Sequence, residues 1–282
     1  MTRAPDSIEA RIGYLSPESH VNRFFWAPEG RLSTSISVSE TVVVRNARTA
    51  GHAFTLDDHG FTLIQHPTQV ETLEDRAALD TLYAREVEQI ALALTGADFV
   101  VPMGYELRSS DGGKAVLPPA ARAHIDYDTP TAHQIARRRY RKAQPNGPGY
   151  QRFILFSLWR CFSPPPQDWP LALCDYESAK DTAEVRSVKI DVPRLPEGHA
   201  LYAPIDGEDR MGASALFCFD PRHRWWTYPA MTRDEALFIK FHDSDHSRAW
   251  RVPHAAFHDE TTPNTVPRES IEFRGCAYFT KP

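Results

Sequence analysis

Apolar and polar residues alternate along this chain at two different periods, and the changes of period divide it into strands and helices. From residue 11 to about residue 68, short β-branched or aromatic runs are broken by polar and glycine positions. Residues 11–15, 40–45 and 61–65 read as strands of an N-terminal sheet extension. Between Glu71 and Thr95 the period lengthens: Leu73, Ala77, Leu79, Leu82, Val87, Ile90, Leu92 and Leu94 recur at helical intervals. Gly96 stands where a terminating glycine ends such a pattern. A helix of this kind lays its apolar stripe on the outer face of a sheet. Strand signals then return at residues 99–107, 150–162, 171–175, 186–192, 213–220 and 237–241. One more helix is expected after the metal motif described below. Thr129-Pro130-Thr131 opens it with proline in the first turn, and the proline- and glycine-rich residues 144–149 stop it. The proline-rich residues 193–209 read as a surface excursion.

Strands at this density, with helices before and beside them, predict a mainly β fold. The expected form is a double-stranded β-helix of the jelly-roll or cupin-like kind, with flanking helices. It would be a single domain over 1–282, with 1–98 supplying N-terminal strands and a supporting helix and 99–282 the double-stranded β-helix core.

Composition narrows the partners. At 282 residues the chain is long enough to bury a sizeable core. With 41% apolar and 24% charged residues and a net charge of −5, it has the balance of an ordinary soluble protein. No basic stripe points to nucleic acid. The one cationic run, Arg137-Arg138-Arg139-Tyr140-Arg141-Lys142, reads either as a solvated helix face or as an attractor of an anionic substrate or cosubstrate to a pocket mouth. Cys161, Cys174, Cys218 and Cys276 form no C-x-x-C pair, which fits a reducing, cytoplasmic setting. The N-terminus lacks an apolar leader core, and no run approaches the roughly eighteen apolar residues of a membrane span. A small-molecule substrate is expected, with no nucleic acid and no membrane; a homo-oligomer is left open.

The chemistry concentrates in Ala123-His124-Ile125-Asp126-Tyr127. On a strand, positions i and i+2 share a face, so His124 and Asp126 can reach one cation. A two-His, one-carboxylate triad leaves positions open on Fe(II), which calls for a distant histidine. His254, in the apolar stretch 251–257, is the favoured third ligand, with His258 and His242 as alternatives. Farther on, Arg268 and Ser270 share a strand face, and a guanidinium beside a hydroxyl suits a carboxylate. Arg160 and Arg274 are the runners-up for that clamp. Tyr127, Trp159, Arg160, Trp225 and Tyr228 are candidates for a substrate pocket. Lys240, in an apolar strand, is expected to snorkel outward or to face the barrel mouth, because burying it unpaired is costly.

The order His-x-Asp, distal His, then Arg-x-Ser resembles the Fe(II)/2-oxoglutarate-dependent oxygenases. Six segments carry a closer resemblance: 124–127, Leu158-Trp159-Arg160, 168–175, 234–240, 252–257 and 267–272. They are similar to a secondary-metabolism family that includes a component of cephem methoxylation, fungal gibberellin desaturase and a fungal endoperoxide-forming enzyme. The similarity runs from about residue 121 to 279. It implies Fe(II) on His124, Asp126 and His254, 2-oxoglutarate held at its far carboxylate by Arg268 and Ser270, and O2 as oxidant. The implied reaction hydroxylates, desaturates or otherwise oxidises a small natural-product-like substrate, releasing succinate and CO2, with no catalytic residue beyond the metal site. Asp128, Ser157 and His242 stand where the family usually has Thr, Asn and Tyr. Competing readings are a cupin-like isomerase or hydrolase on the same ligands, and a noncatalytic β-sandwich binding module.

Overall fold

A computed structural model describes residues 5–114 and 116–280, so the first four residues of the N-terminal segment lie outside the described part. Two β-sheets face each other. The larger runs β1 (Ser7–Leu15), β4 (Ser37–Asn46), β12 (Trp225–Thr227), β9 (Leu171–Cys174), β14 (His254–Ala256), β7 (His124–Ile125), β11 (Ala213–Leu216), β10 (Val185–Asp191), β2 (Arg23–Ala27) and β3 (Gly30–Ser33). The smaller runs β5 (Phe61–Gln65), β13 (Glu235–Asp243), β8 (Arg152–Cys161), β15 (Glu269–Phe279) and β6 (Phe99–Ser109). This is the expected jelly roll.

Alternation sorts the smaller sheet into two faces. Phe153, Leu155, Trp159, Leu237, Ile239, Cys276 and Tyr278 point between the sheets and join Ile125, Leu171, Leu173 and Phe217 of the larger one in a shared core. Ile154, Phe156, Leu158, Phe238, Ile271 and Phe273 point outward under the helix α1 (Ala84–Thr95), which adds Val87, Ile90 and Ala91. That helix ends as its sequence requires: Gly96 takes a left-handed φ of 68°. It is preceded by Arg76–Ala78, capped by Asp75, and a π-helical segment Leu79–Tyr83, so residues 71–75 of the expected helix are irregular. Helix α2 (Thr129–Ala143) starts on Asp128, whose side chain accepts from Thr131 N. Asp128 is fully buried and also ion-pairs with Arg186. The aspartate that departs from the family's usual threonine is therefore a helix cap.

A bulge in β6 matters for the site. Arg274 pairs with Gly104 but Gly275 pairs with Pro102, so Met103 is an extra residue, and Gly104 takes φ 93°. Phe99, Val101 and Met103 face the inner core, whereas Tyr105 and Leu107 face outward. The slip thus turns Glu106 and Arg108 inward, because one extra residue exchanges the faces of everything beyond it.

Several expectations are corrected by packing. Strand 213–220 stops at Leu216. The hairpin β2–β3 went unread, since β3 is short and half exposed. The β1–β4 end of the larger sheet curls over that sheet's own outer face, with Gly13 N donating to Ala121 O and Leu15 N to Phe217 O. It covers Trp225, whose Nε1 donates to Tyr14 Oη at 2.7 Å; this tryptophan belongs to that outer cluster and not to a substrate pocket. Lys240 neither snorkels nor faces the mouth. It is fully buried, with Nζ 2.7 Å from Asp243 Oδ2 and 3.0 Å from Ala249 O. Among the described residues no helix is long and apolar enough to cross a membrane.

Candidate metal centre and cosubstrate pocket

Strand pairing brings the distant histidine to the first one. β14 and β7 are antiparallel neighbours, and His254 stands directly opposite His124. Their rings lie 4.6 Å apart. β7 ends at Ile125, so Asp126 occupies the bend just beyond it and not the strand expected, yet it stays on the same side: His124 Nε2 is 3.5 Å from Asp126 Oδ1. One ligand atom from each of His124, Asp126 and His254 lies within 4.8 Å of the others.

The donor chemistry suits a divalent cation. His124 Nδ1 sits 2.7 Å from Arg122 O, and His254 Nδ1 sits 3.0 Å from Val252 O. A carbonyl only accepts, so each Nδ1 carries the proton and each Nε2 keeps its lone pair for a metal. Burial, reinforced by the neighbouring His124, pulls His254 down to about 3, so it is neutral near neutral pH. Burial alone would raise the Asp126 carboxyl, but Arg274 and His124 hold it well below the usual range. Arg274 Nη2 lies 2.9 Å from Asp126 Oδ2 and 2.5 Å from Glu272 Oε1. Glu272, buried and facing the charge on Asp126, is pushed up to about 7.

Beside the cluster is a narrow cavity lined by Arg108, His124, Ser157, Trp159, His254 and Arg268, among others. Arg268 is 1% exposed, and burial lowers it to about 10. Its position is tied at both ends: the backbone N–H donates to Ser110 Oγ and Asp168 Oδ1, and Nη1 donates to Trp169 O at 2.8 Å. The Asp168-Trp169 segment of the resemblance therefore has a physical task, which is holding this arginine. Nε of Arg268 and the hydroxyls of Ser270 and Ser157 are buried with no protein partner. Unspent donors of this kind fit a carboxylate. At about 20 Å³ the space holds little more than a water in this conformation.

Other candidates fall elsewhere. Arg160 lies on the outer face, where Nε donates to Tyr83 Oη and Nη1 to the carbonyls of His66 and Arg233, and it does not line the cavity beside the cluster. Tyr228 reaches the inter-sheet core but packs on Phe54 and under Arg48, and lines neither inner cavity. His242 is buried against Phe153, and His258 lies exposed beside Trp169 and Glu260. Tyr127 flanks the cluster, 5.4 Å under Lys189 Nζ. The sequence reading missed Arg108, Lys189, Glu272 and the engagement of Arg274 with Asp126. Glu272 and Arg274 were legible in principle, since they continue the period-two series Arg268, Ser270 along one face.

Comparison with known proteins agrees with this geometry. The family described as an oxidoreductase/YMDC permease-like domain matches residues 12–278. The hydroxylase/desaturase efuI of Hormonema carpetanum is 29% identical, over 86% of this chain and 84% of its own. The Fe(II)/2-oxoglutarate-dependent dioxygenase nvfI of Aspergillus novofumigatus is 29% identical, over 83% of this chain and 81% of its own. Among solved structures, an iron and alpha-ketoglutarate-dependent endoperoxidase, NvfI, shares the fold with a TM-score of 0.78 at 23% identity, covering 98% of this chain and 99% of that one. The chain belongs to the oxidoreductase/YMDC permease-like domain family and, with these relatives, to the Fe(II)/2-oxoglutarate-dependent oxygenases of secondary metabolism.

Proposed function

We propose that His124, Asp126 and His254 bind Fe(II), that Arg268 and Ser270 grip the far carboxylate of 2-oxoglutarate, and that the chain, acting as one domain, oxidises a small natural-product-like molecule. Its four thiols are all free, in keeping with a cytoplasmic setting. Bound iron, with 2-oxoglutarate and O2, supplies the oxidising power, and 2-oxoglutarate leaves as succinate and CO2. The protein's part is positioning. The carbonyls of Arg122 and Val252 orient the two imidazoles. Arg274 keeps Asp126 ionised and turned toward them. Trp159, 5.6 Å from the Arg268 guanidinium, walls off the carboxylate end from water.

One observation carries the reading: a cross-strand histidine pair with both Nδ1 atoms spent on carbonyls, an aspartate beside it, and a buried arginine with an unpaired Nε in the adjoining cavity. Anaerobic titration should give one Fe(II) per chain and 2-oxoglutarate binding that depends on the metal. With substrate and air, succinate should appear in step with 2-oxoglutarate loss. Metal binding without any 2-oxoglutarate binding would return the chain to the cupin-like alternative.

A further inference from the structure

On the oxygenase reading above, we propose that the substrate carries a carboxylate, and that Lys189 and Arg138 bind it in a second cavity next to the metal cluster. This cavity, of about 210 Å³, lies between α2 and the strands β10 and β11. Tyr127, Thr131, Ile135, Arg138, Lys189 and Ala213 are among its walls, and no acidic side chain lines it.

Its two cations have donors to spare. Lys189 Nζ donates to the main-chain oxygen of Asp126 at 2.9 Å, using one of its three N–H groups. Arg138, on the exposed side of α2, makes no hydrogen bond or ion pair among the described residues. The nearby acids are engaged elsewhere: Asp126 and Glu272 both contact Arg274, and Glu106 Oε1 lies 3.9 Å from Arg274 Nη1. A divalent ion on the histidine–aspartate cluster adds two positive charges, and 2-oxoglutarate, a dianion, offsets them, with its far carboxylate also facing Arg268. The surplus that remains around the second cavity is positive, and a carboxylate is the group that takes charge-assisted bonds from both an ammonium and a guanidinium.

The placement suits a reaction. Lys189 is fixed to the main chain of a metal ligand, so a carboxylate held there keeps its own carbon skeleton beside the cluster, against Tyr127, Ile135 and Ala213. The volume falls below the usual range for a drug-sized ligand, which suits one ring or a short chain with the rest of the molecule outside. Of the cationic run on this helix, Arg138 is the member that lines the cavity.

The test uses the Fe(II)-loaded full chain, anaerobic, with saturating 2-oxoglutarate occupying its own site. Matched pairs of small cyclic and aromatic carboxylic acids and their methyl esters are screened by ligand-observed NMR. Acids should bind about tenfold or more tightly than their own esters. Lys189→Met and Arg138→Gln should each shrink that preference to about threefold or less. Arg138 is exposed, so its variant keeps the test open if Lys189→Met folds poorly. Equal binding of acid and ester, no binding of any acid, or an undiminished preference in Arg138→Gln overturns the proposal. Failure of the oxygenase reading shows separately, as absence of metal-dependent 2-oxoglutarate binding in the same samples.

Discussion

Two arginines of the smaller sheet, Arg160 on β8 and Arg268 just ahead of the neighbouring β15, are equally buried and differently used. Arg160, on the outer face, is bonded to three acceptors, Tyr83 Oη and the carbonyls of His66 and Arg233, with only Nη2 unpaired. Arg268, on the inner face, spends its guanidinium on one carbonyl and leaves Nε unpaired beside a cavity. A buried charge is tolerated when the protein satisfies it or when a ligand will. The first arginine clips helix and loop to the sheet; the second is organised for something the chain does not itself supply. The same contrast separates two buried ion clusters. Lys240, Asp243 and Arg152 close on one another, whereas Asp126, Arg274 and Glu272 sit against the histidine pair.

The contrast breaks most visibly at the metal cluster. Replacing His254 by Ala removes one of the three proposed ligands and should abolish stoichiometric Fe(II) binding and turnover together, as read by metal analysis of the purified protein. Near-normal iron content in that variant would remove the inner face's claim to be different.

A smaller effect separates the arginines themselves. Arg268→Ala should weaken 2-oxoglutarate binding by about 10- to 100-fold, the loss expected for charge-assisted hydrogen bonds worth roughly 1.5–3 kcal/mol. Arg160→Ala should do the reverse. It strands three buried acceptors, so it should lower unfolding stability by roughly 2–3 kcal/mol while the folded protein binds 2-oxoglutarate as before. Calorimetry and denaturant titration on both variants decide it. If Arg160→Ala loses the cosubstrate and Arg268→Ala loses only stability, the two faces have been assigned the wrong way round.

Sequence periodicity carried much of this. Alternation located most strands, helical spacing and Gly96 located the end of α1, and His124, Asp126 and His254 lie together with Arg268 lining the cavity beside them. What periodicity cannot say is which face is inside when both are buried. Every residue from Phe153 to Cys161 is buried, so Trp159 and Arg160 looked equally eligible for a pocket and only one faces it. Trp225 failed for the same reason, since the β1–β4 end of the larger sheet makes a second apolar interior on its outer side. Arg108 was hidden by the β6 bulge. Its one signal, a glycine inside a strand pattern, marks a bulge without saying which residues it turns inward.

The smallest effect concerns two buried histidines, one in the cluster and one outside it. Burial, with the neighbouring His133 and His246, lowers His242 to about 3, just as burial lowers His254. In the unfolded chain each would titrate near 6.5. Between these values the unfolded state takes up a proton that the folded state refuses. Stability is therefore full above about pH 6.5 and is lost as pH falls, at about 1.4 kcal/mol per unit for each histidine. His242 Nε2 has no partner, and the ring stacks on Phe153, so His242→Phe leaves no new group stranded. The variant should match or exceed the parent at pH 7 and should lose about 2 kcal/mol less between pH 7 and pH 5, measured by urea unfolding without metal. Its Fe(II) binding should be that of the parent, because His242 lies outside the cluster. Equal pH slopes in the two proteins would mean that His242 is protonated in the folded state, and that burial on this side of the core is less dry than its packing indicates.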